Sequence, residues 1–383
     1  MNTFPSSRAS SYGRAPPSNA PRVATVSDTL YPKFCSRTWE VTLGHTAKPF
    51  TIRLVGPILC KYGSENGQKR GFSGHTCRKD GLNAGFTQVW LYFTTFAIYM
   101  REQYYIVAEH LFCLEADDGI LAQMANYEPF RTEQSNDALF CLTVTDGGPI
   151  QYVEDLSQDE EGQDIVCGHT EQGEPVFEFR FGGKTAGWLV CKTGYREGTL
   201  YLSGFQTKAA VDNALMIQFA MASATLNTVL FHAAAVSLDG KGYMFLGKSG
   251  TGKSTHARLW LQNIPGTELM NDDNPAVRIK ADGTAVVYGT PWSGKTPCYR
   301  NICAPLGGIV LLSQAPYNRI TRLNGIGAYA AVVPSISGKR WDARIADGLH
   351  ETENALASSV PVWHLDCLPD ADAAYLCKDT VAL

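Results

Sequence analysis

Apolar and polar positions change rhythm along the chain, and the changes mark its elements. Between residues 105 and 202, short apolar runs at 105–114, 138–144, 176–181, 187–191 and 199–202 are separated by Gly- and Asp-containing turns. Their alternation and aromatic content predict strands of a mainly antiparallel sheet. Over residues 209–227 the repeat lengthens. Val211, Leu215, Phe219 and Ala222 recur at spacings of three and four, which predicts a helix with one buried face. Short strands then return: an apolar run at 229–237, the turn Asp239-Gly240 and a strand at 243–246. An Asp-Gly connection between two such runs predicts a hairpin. A helix is expected over 254–262 with Leu259 and Leu261 turned inward, and a buried strand over 308–312 that ends in a turn at 313–318.

Before residue 100 the pattern is weak. Residues 39–43 and 50–54 look strand-like, residues 1–27 have the composition of a disordered tail, and the apolar run 89–100 is too short to cross a bilayer. The acidic stretch 154–164 is expected to be a solvated loop. Three parts follow: a basic, weakly structured or disordered extension (1–99), a β-rich domain ending in a helix (100–227), and a nucleotide-binding domain (228–383).

Charge sharpens the first boundary. Residues 1–99 hold twelve Lys/Arg against four Asp/Glu, whereas residues 100–383 hold 21 against 33. The whole chain has a formal net charge of −4, which argues against a nucleic-acid binder. The eleven cysteines are scattered, with no C-x-x-C pair, and the start lacks the apolar segment of a secretory signal. Free thiols in a reducing cytoplasm are therefore expected, with no membrane partner. The oligomeric state is left open, a homo-oligomer included.

The chemistry concentrates at Gly247, Lys248, Ser249, Gly250, Thr251, Gly252, Lys253, Ser254 and Thr255, which match G-x-x-x-x-G-K-[ST] in full. Glycines let the backbone curl so that successive N–H groups face phosphate oxygens. Lys253 adds a charge at the β- and γ-phosphates, and Ser254 offers a hydroxyl to Mg²⁺. The motif lies between an expected strand and an expected helix, the context it requires. ATP and Mg²⁺ are the expected cofactors. Asp272 and Asp273 follow at the end of an expected strand, beside Asn271, Asn274 and Pro275. Phosphoryl transfer uses one carboxylate to hold the metal and one to accept the acceptor's proton. Lys295 and Arg300, in a Gly/Pro-rich loop, are candidates to clamp the transferred group, with Trp292 and Tyr299 as walls. His256, on the loop helix, is expected to be structural.

The run from His232 through the hairpin, the phosphate loop and its helix to Asp272-Asp273 resembles the catalytic domain of HPr kinase/phosphorylase. That domain has a phosphoenolpyruvate carboxykinase-like fold, and the likeness covers about residues 228–315 and, more loosely, the chain to 383. The resemblance implies a mixed α/β nucleotide-binding domain using ATP and Mg²⁺ to phosphorylate a hydroxyl, such as a serine. It also implies a catalytic role for His232, and suggests Asp272 as base and Asp273 with Ser254 as metal ligands. The Glu/Arg/Gly-rich signature that follows the doublet in HPr kinases is missing. Residues 288–301 stand in its place, as in the broader set of HPr kinase-related proteins. The acceptor is thus unnamed: a protein, a peptide or a small molecule. The alternatives are a nucleotide-binding regulatory or assembly module, and a carboxykinase-like lyase.

Overall fold

The computed structural model of the protein describes residues 38–43, 50–55, 159 and 160 by backbone alone, and the rest of 100–382 apart from Glu161 in full. Strands β1 (Thr38–Leu43) and β2 (Phe50–Val55) pair antiparallel, at the two stretches that look strand-like in the sequence. This hairpin belongs to one compact unit and the chain from Met100 onward to another. The remainder of the expected extension, including residues 1–27 and the apolar run up to residue 99, lies outside the described residues.

The second unit is mixed α/β and contains two mixed sheets. The first is built from β3 (Met100–Val107), β4 (His110–Asp117), β5 (Arg131–Thr132), β6 (Phe140–Asp146), β7 (Val153–Glu160), β8 (Gln163–His169), β9 (Pro175–Phe181), β10 (Lys184–Cys191) and β11 (Glu197–Leu202). Its order is β5-β3-β4-β6-β11-β10-β9-β8-β7. Every pairing is antiparallel except the two that flank β6.

Two sequence expectations are corrected here. Residues 105–114 are not one strand but the β3–β4 hairpin, turning at Ala108 (φ 46°) and Glu109 (φ 64°). Two left-handed residues are the geometry of a two-residue hairpin turn, but Ala and Glu give no turn signal in a sequence. The left-handed conformation costs roughly 1–2 kcal/mol per residue. Tertiary contacts hold it: the Glu109 carboxylate accepts from Tyr288 Oη (2.8 Å) and from Arg278 and Lys280. The acidic stretch 154–164 is likewise not a loop. It forms most of the β7–β8 hairpin, because β8 pairs with β9 along its length although β7 is largely exposed.

Helix α1 (Thr207–Ser223) follows and continues as a 3₁₀ turn (Ala224–Leu226) that stops at left-handed Asn227. Val211, Leu215, Phe219 and Ala222 are buried as expected. Among the described residues this is the one helix long and apolar enough to span a membrane, and much of it is buried in the core, which accounts for its composition.

The second sheet contains β12 (Thr228–Leu230), β13 (Ala233–Leu238), β14 (Lys241–Leu246), β15 (Glu268–Asp273), β16 (Ala276–Ile279), β17 (Ala285–Tyr288), β18 (Cys303–Gln314), β19 (Arg319–Leu323) and β20 (Val362–Cys367). The expected hairpin is β13–β14, with left-handed Asp239 and Gly240 at its turn. β14 lies between β13, antiparallel, and β18, parallel.

The alternation of a strand sorts the two faces of this sheet. Ala233, Ala235, Met244 and Leu246 join the large core that includes the first sheet and α1. Ala234, Val236, Tyr243 and Phe245 join a second core with α2 (Lys253–Asn263) and a helix at Ala371–Val381. The inner face of α2 is His256, Ala257 and Trp260. Leu261, expected inside, is 39% exposed, and Leu259 is half-buried. Trp260 supplies the bulk instead, donating its indole N–H to His256 Nε2 at 3.2 Å. Position 227/228 falls within the second unit, and side chains from both sides of it share the larger core.

Burial holds two histidines neutral. It depresses His256 to about 4, and His110 to about 4 with help from the Arg278 charge. A depressed folded-state pKa gives stability that is present above about 6.5, the ordinary value, and is lost as pH falls towards 4. Denaturant unfolding between pH 7.5 and 5 is expected to show a smaller pH-dependent loss in a His110→Gln/His256→Gln variant than in the parent. Parallel profiles would show that neither histidine is a buried neutral base.

Candidate functional site

The phosphate-loop motif connects β14 to α2. Gly247 (φ 151°), Gly250 (φ 78°) and Gly252 (φ 103°) adopt conformations that side chains disfavour. A Cβ on Gly247 would also meet Thr251 Oγ1 at 2.5 Å. The loop is tied internally: Thr251 N and Oγ1 both donate to the Lys248 carbonyl. From β18, Gln314 Nε2 donates to the Gly250 carbonyl at 3.1 Å.

Lys253 is 7% exposed, and its ammonium donates to the carbonyls of Gly247 (3.1 Å) and Lys248 (3.4 Å). Among the described residues no side chain caps the N-terminus of α2, where Gly252 is the cap residue. First-turn N–H groups without a side-chain cap, a buried lysine and a glycine-curled loop are the donor set that a polyphosphate requires.

The doublet ends β15. Ser254 Oγ donates to Asp272 Oδ1 at 2.8 Å, and Asp272 is 6% exposed. Asp273 points elsewhere, as alternation along a strand requires, and its Oδ1 is 3.4 Å from His232 Nδ1. His232 is held between β12 and β13 by its own N–H, which donates to the Ser335 carbonyl at 2.7 Å. The pair Ser254 and Asp272 offers two oxygens to a cation. Mg²⁺ commonly takes one or two protein ligands and completes its shell with phosphate and water. Among the described residues no cluster of three or more His, Cys, Asp or Glu offers a self-sufficient metal site.

Asn271 organises this end of the strand and was visible in the sequence only as a neighbour of the doublet. It is fully buried. Its Oδ1 accepts from Asp273 N (3.1 Å) and Asn274 N (2.8 Å), fixing the turn that separates the two acids. Its Nδ2 donates to Thr290 O and to Trp292 O, each at 3.2 Å, which docks the loop after β17. Gly294 N then donates to the Asp272 carbonyl at 2.9 Å. A Cβ on Gly294 would lie 3.0 Å from Asp273 Oδ2, so glycine permits this approach.

These groups share one cleft of about 750 Å³, lined by Ser249, Gly250, Gly252, Lys253, Ser254, Thr255, His232, Asp272, Asp273 and Lys295, with Trp292 and Tyr299 also on its wall. Gly247, Lys248 and Thr251 belong to the loop but do not line the cleft. Arg300 is not in the cleft. Its guanidinium donates to the Leu269 carbonyl (2.8 Å) and to Glu268 (2.6 Å) at the start of β15, so the expected cationic clamp reduces to Lys295. His256 is 3% exposed and packs on Phe245, as a structural residue would.

The chain matches no protein-family model and no curated protein. Among solved structures it is similar to the Hpr(Ser) kinase/phosphatase from Coxiella burnetii at 11% identity, over 40% of this chain and 93% of that one, with a TM-score of 0.24. The likeness is distant.

If the loop holds a polyphosphate, replacing Lys253 removes a buried charge from it. Lys253→Ala is expected to weaken Mg·ATP binding, measured calorimetrically on a protein whose far-UV spectrum is unchanged, by about tenfold or more, roughly 1.4 kcal/mol. Equal affinity in the two proteins would rule out a phosphate at Lys253.

Proposed function

We propose that the protein is an ATP- and Mg²⁺-dependent kinase that transfers the γ-phosphoryl group to a hydroxyl, and that it works in the cytoplasm, where its scattered cysteines would stay reduced. The observation that carries this reading is the pairing of Ser254 with Asp272 while Asp273 faces His232, all beside the phosphate loop. A module that only binds nucleotide needs the loop and the metal ligands. It has no use for a second carboxylate set against an imidazole.

Mg·ATP supplies the electrophilic phosphorus and, through its metal, charge neutralisation across the phosphates. The chain's residues do the rest. First-turn N–H groups of α2 and the Lys253 ammonium hold the phosphates. Ser254 and Asp272 would hold the metal. Asp273 accepts the acceptor's proton as the acceptor oxygen bonds to the γ-phosphorus and the bond to the ADP oxygen breaks. His232 orients the Asp273 carboxylate, and Lys295 meets charge on the transferred group. The geometry thus favours the reverse of the roles that the family resemblance suggests for the two acids, because Ser254 contacts Asp272.

Substitution of each acid separates the roles. Asp273→Asn is expected to keep Mg·ATP affinity while transfer falls by roughly 10²–10⁴, the usual worth of a general base. Asp272→Asn is expected to lose the Mg²⁺-dependent part of ATP affinity as well as rate. Calorimetric titration with and without Mg²⁺, together with transfer of label from γ-labelled ATP into a cell extract, reads both. The opposite phenotypes would restore the other assignment. Parent-like Mg·ATP binding by both variants, with no acceptor labelled by the parent, would leave a nucleotide-binding module.

A further inference from the structure

The outer face of the first sheet carries two thiols side by side. β4 and β6 are parallel neighbours, and their register sets Cys113 opposite Cys141. Phe112, Leu114, Phe140 and Leu142, on either side of them in sequence, are buried in the larger core. Alternation therefore turns both cysteines to the opposite face, with Tyr104 of β3 next to Cys113 and Glu197 of β11 next to Cys141. Among the described residues no other two cysteines stand opposite each other on neighbouring strands.

Both are free thiols. Cys113 is 2% exposed and Cys141 is half-buried, so a small solute reaches the pair from the Cys141 side. The two sulfurs share a hydrogen bond, which lowers the Cys113 thiol below its ordinary value and raises that of Cys141. A sulfur that ionises beside a second thiol is one whose oxidised form is captured as a disulfide before it is oxidised further. The spacing allows that bond. Neighbouring strands lie about 4.7–4.9 Å apart. A disulfide spans Cα separations of roughly 4.4–6.8 Å. The strands are already paired from Phe112 to Glu115, so closing the bond asks for rotation of two side chains and no movement of the sheet.

The position has a consequence for the core. On the inner side of the same pairing, Phe112 and Phe140 stack with centroids 5.0 Å apart. The chain between β4 and β6 carries Tyr127, which accepts from the Trp292 indole. We propose that Cys113 and Cys141 are a redox-modification site, converted by hydrogen peroxide to a disulfide that ties together the two ends of the segment bearing Tyr127. One thiolate attacks a peroxide oxygen, the O–O bond breaks, and the released hydroxide takes a proton and leaves as water. The second sulfur then bonds to the sulfenic acid, and its hydroxide leaves as water with the second thiol's proton. Two thiols and one hydrogen peroxide thus become one disulfide and two waters, and a dithiol such as dithiothreitol reverses the bond by exchange. The site is independent of the kinase reading.

The reduced full chain, treated with hydrogen peroxide, is unfolded, alkylated at its remaining thiols and mapped as peptides without reduction. Alkylation of Cys113 and Cys141 is expected to be lost together. One linked peptide pair, lighter by two hydrogens than the sum of its parts, is expected in their place and disappears with dithiothreitol. Its yield should not depend on protein concentration. Cys141→Ser is expected to abolish the linked pair and Cys167→Ser to retain it, with Cys141→Ala used if the serine variant does not fold. Amide exchange over residues 118–139 is expected to be slower in the linked chain than in the reduced one. Full alkylation of both cysteines after peroxide, either one joined to a different cysteine, sulfinic acid without a link, or a link formed only between two chains would overturn the site. A link that leaves exchange over 118–139 unchanged would overturn the tether.

Discussion

Trp292 donates its indole N–H to Tyr127 Oη at 2.8 Å and packs its ring against Phe219, Tyr127 and Phe112, with centroids 5.2, 6.4 and 6.5 Å away. Tyr127 and Phe112 come from the first sheet and its connections, Phe219 from α1, and Trp292 from the loop after β17. The backbone of that loop is held by Asn271 and lies against the doublet through Gly294. One aromatic cluster therefore joins the two sheets and anchors the loop that carries Lys295 into the cleft with the two acids. Removing a buried aromatic of this kind costs about 3–5 kcal/mol. The loss here would also release the loop. Burial raises the Tyr127 hydroxyl well above its ordinary value, so it stays protonated and keeps its place in the cluster.

The site follows from this scaffold and from the alternation of a strand. Two adjacent acids cannot serve the same group while both lie in β15. The turn begun by Asn271 sends Asp272 to the phosphate loop and Asp273 to His232. The loop obtains its shape from three glycines with positive φ and its electrostatics from the uncapped start of α2. The two faces of the cleft come from different sheets of one folded unit, so the same packed core holds both in place.

Much of this was legible in the sequence because the signals are local. Asp239-Gly240 declares its hairpin, the 3.6-residue repeat declares α1, and the glycine spacing of 247–252 declares a tightly curled loop between a strand and a helix. The misses have a common cause. Ala108-Glu109 turns the chain because Tyr288, Arg278 and Lys280, about 170 residues later, hold Glu109 in place. The acidic stretch becomes strand because most of it pairs with β8, which β9 in turn holds in the sheet. Arg300 leaves the cleft because Glu268 and the Leu269 carbonyl are nearer partners. Asn126 and Asn213 carry no motif at all; only the tertiary structure sets them on the wall of the cleft.

The central claim is that a phosphate-binding loop, a carboxylate doublet and an anchored loop form one coupled nucleotide site. Hydrogen exchange of the full chain with and without Mg·ATP tests it residue by residue. The account predicts slower exchange not only in residues 247–255 but also in 271–274 and 289–295, with the effect reaching Tyr127 and its neighbours. Exchange unchanged in all of these segments at saturating Mg·ATP, or slowed somewhere else in the chain alone, would contradict it.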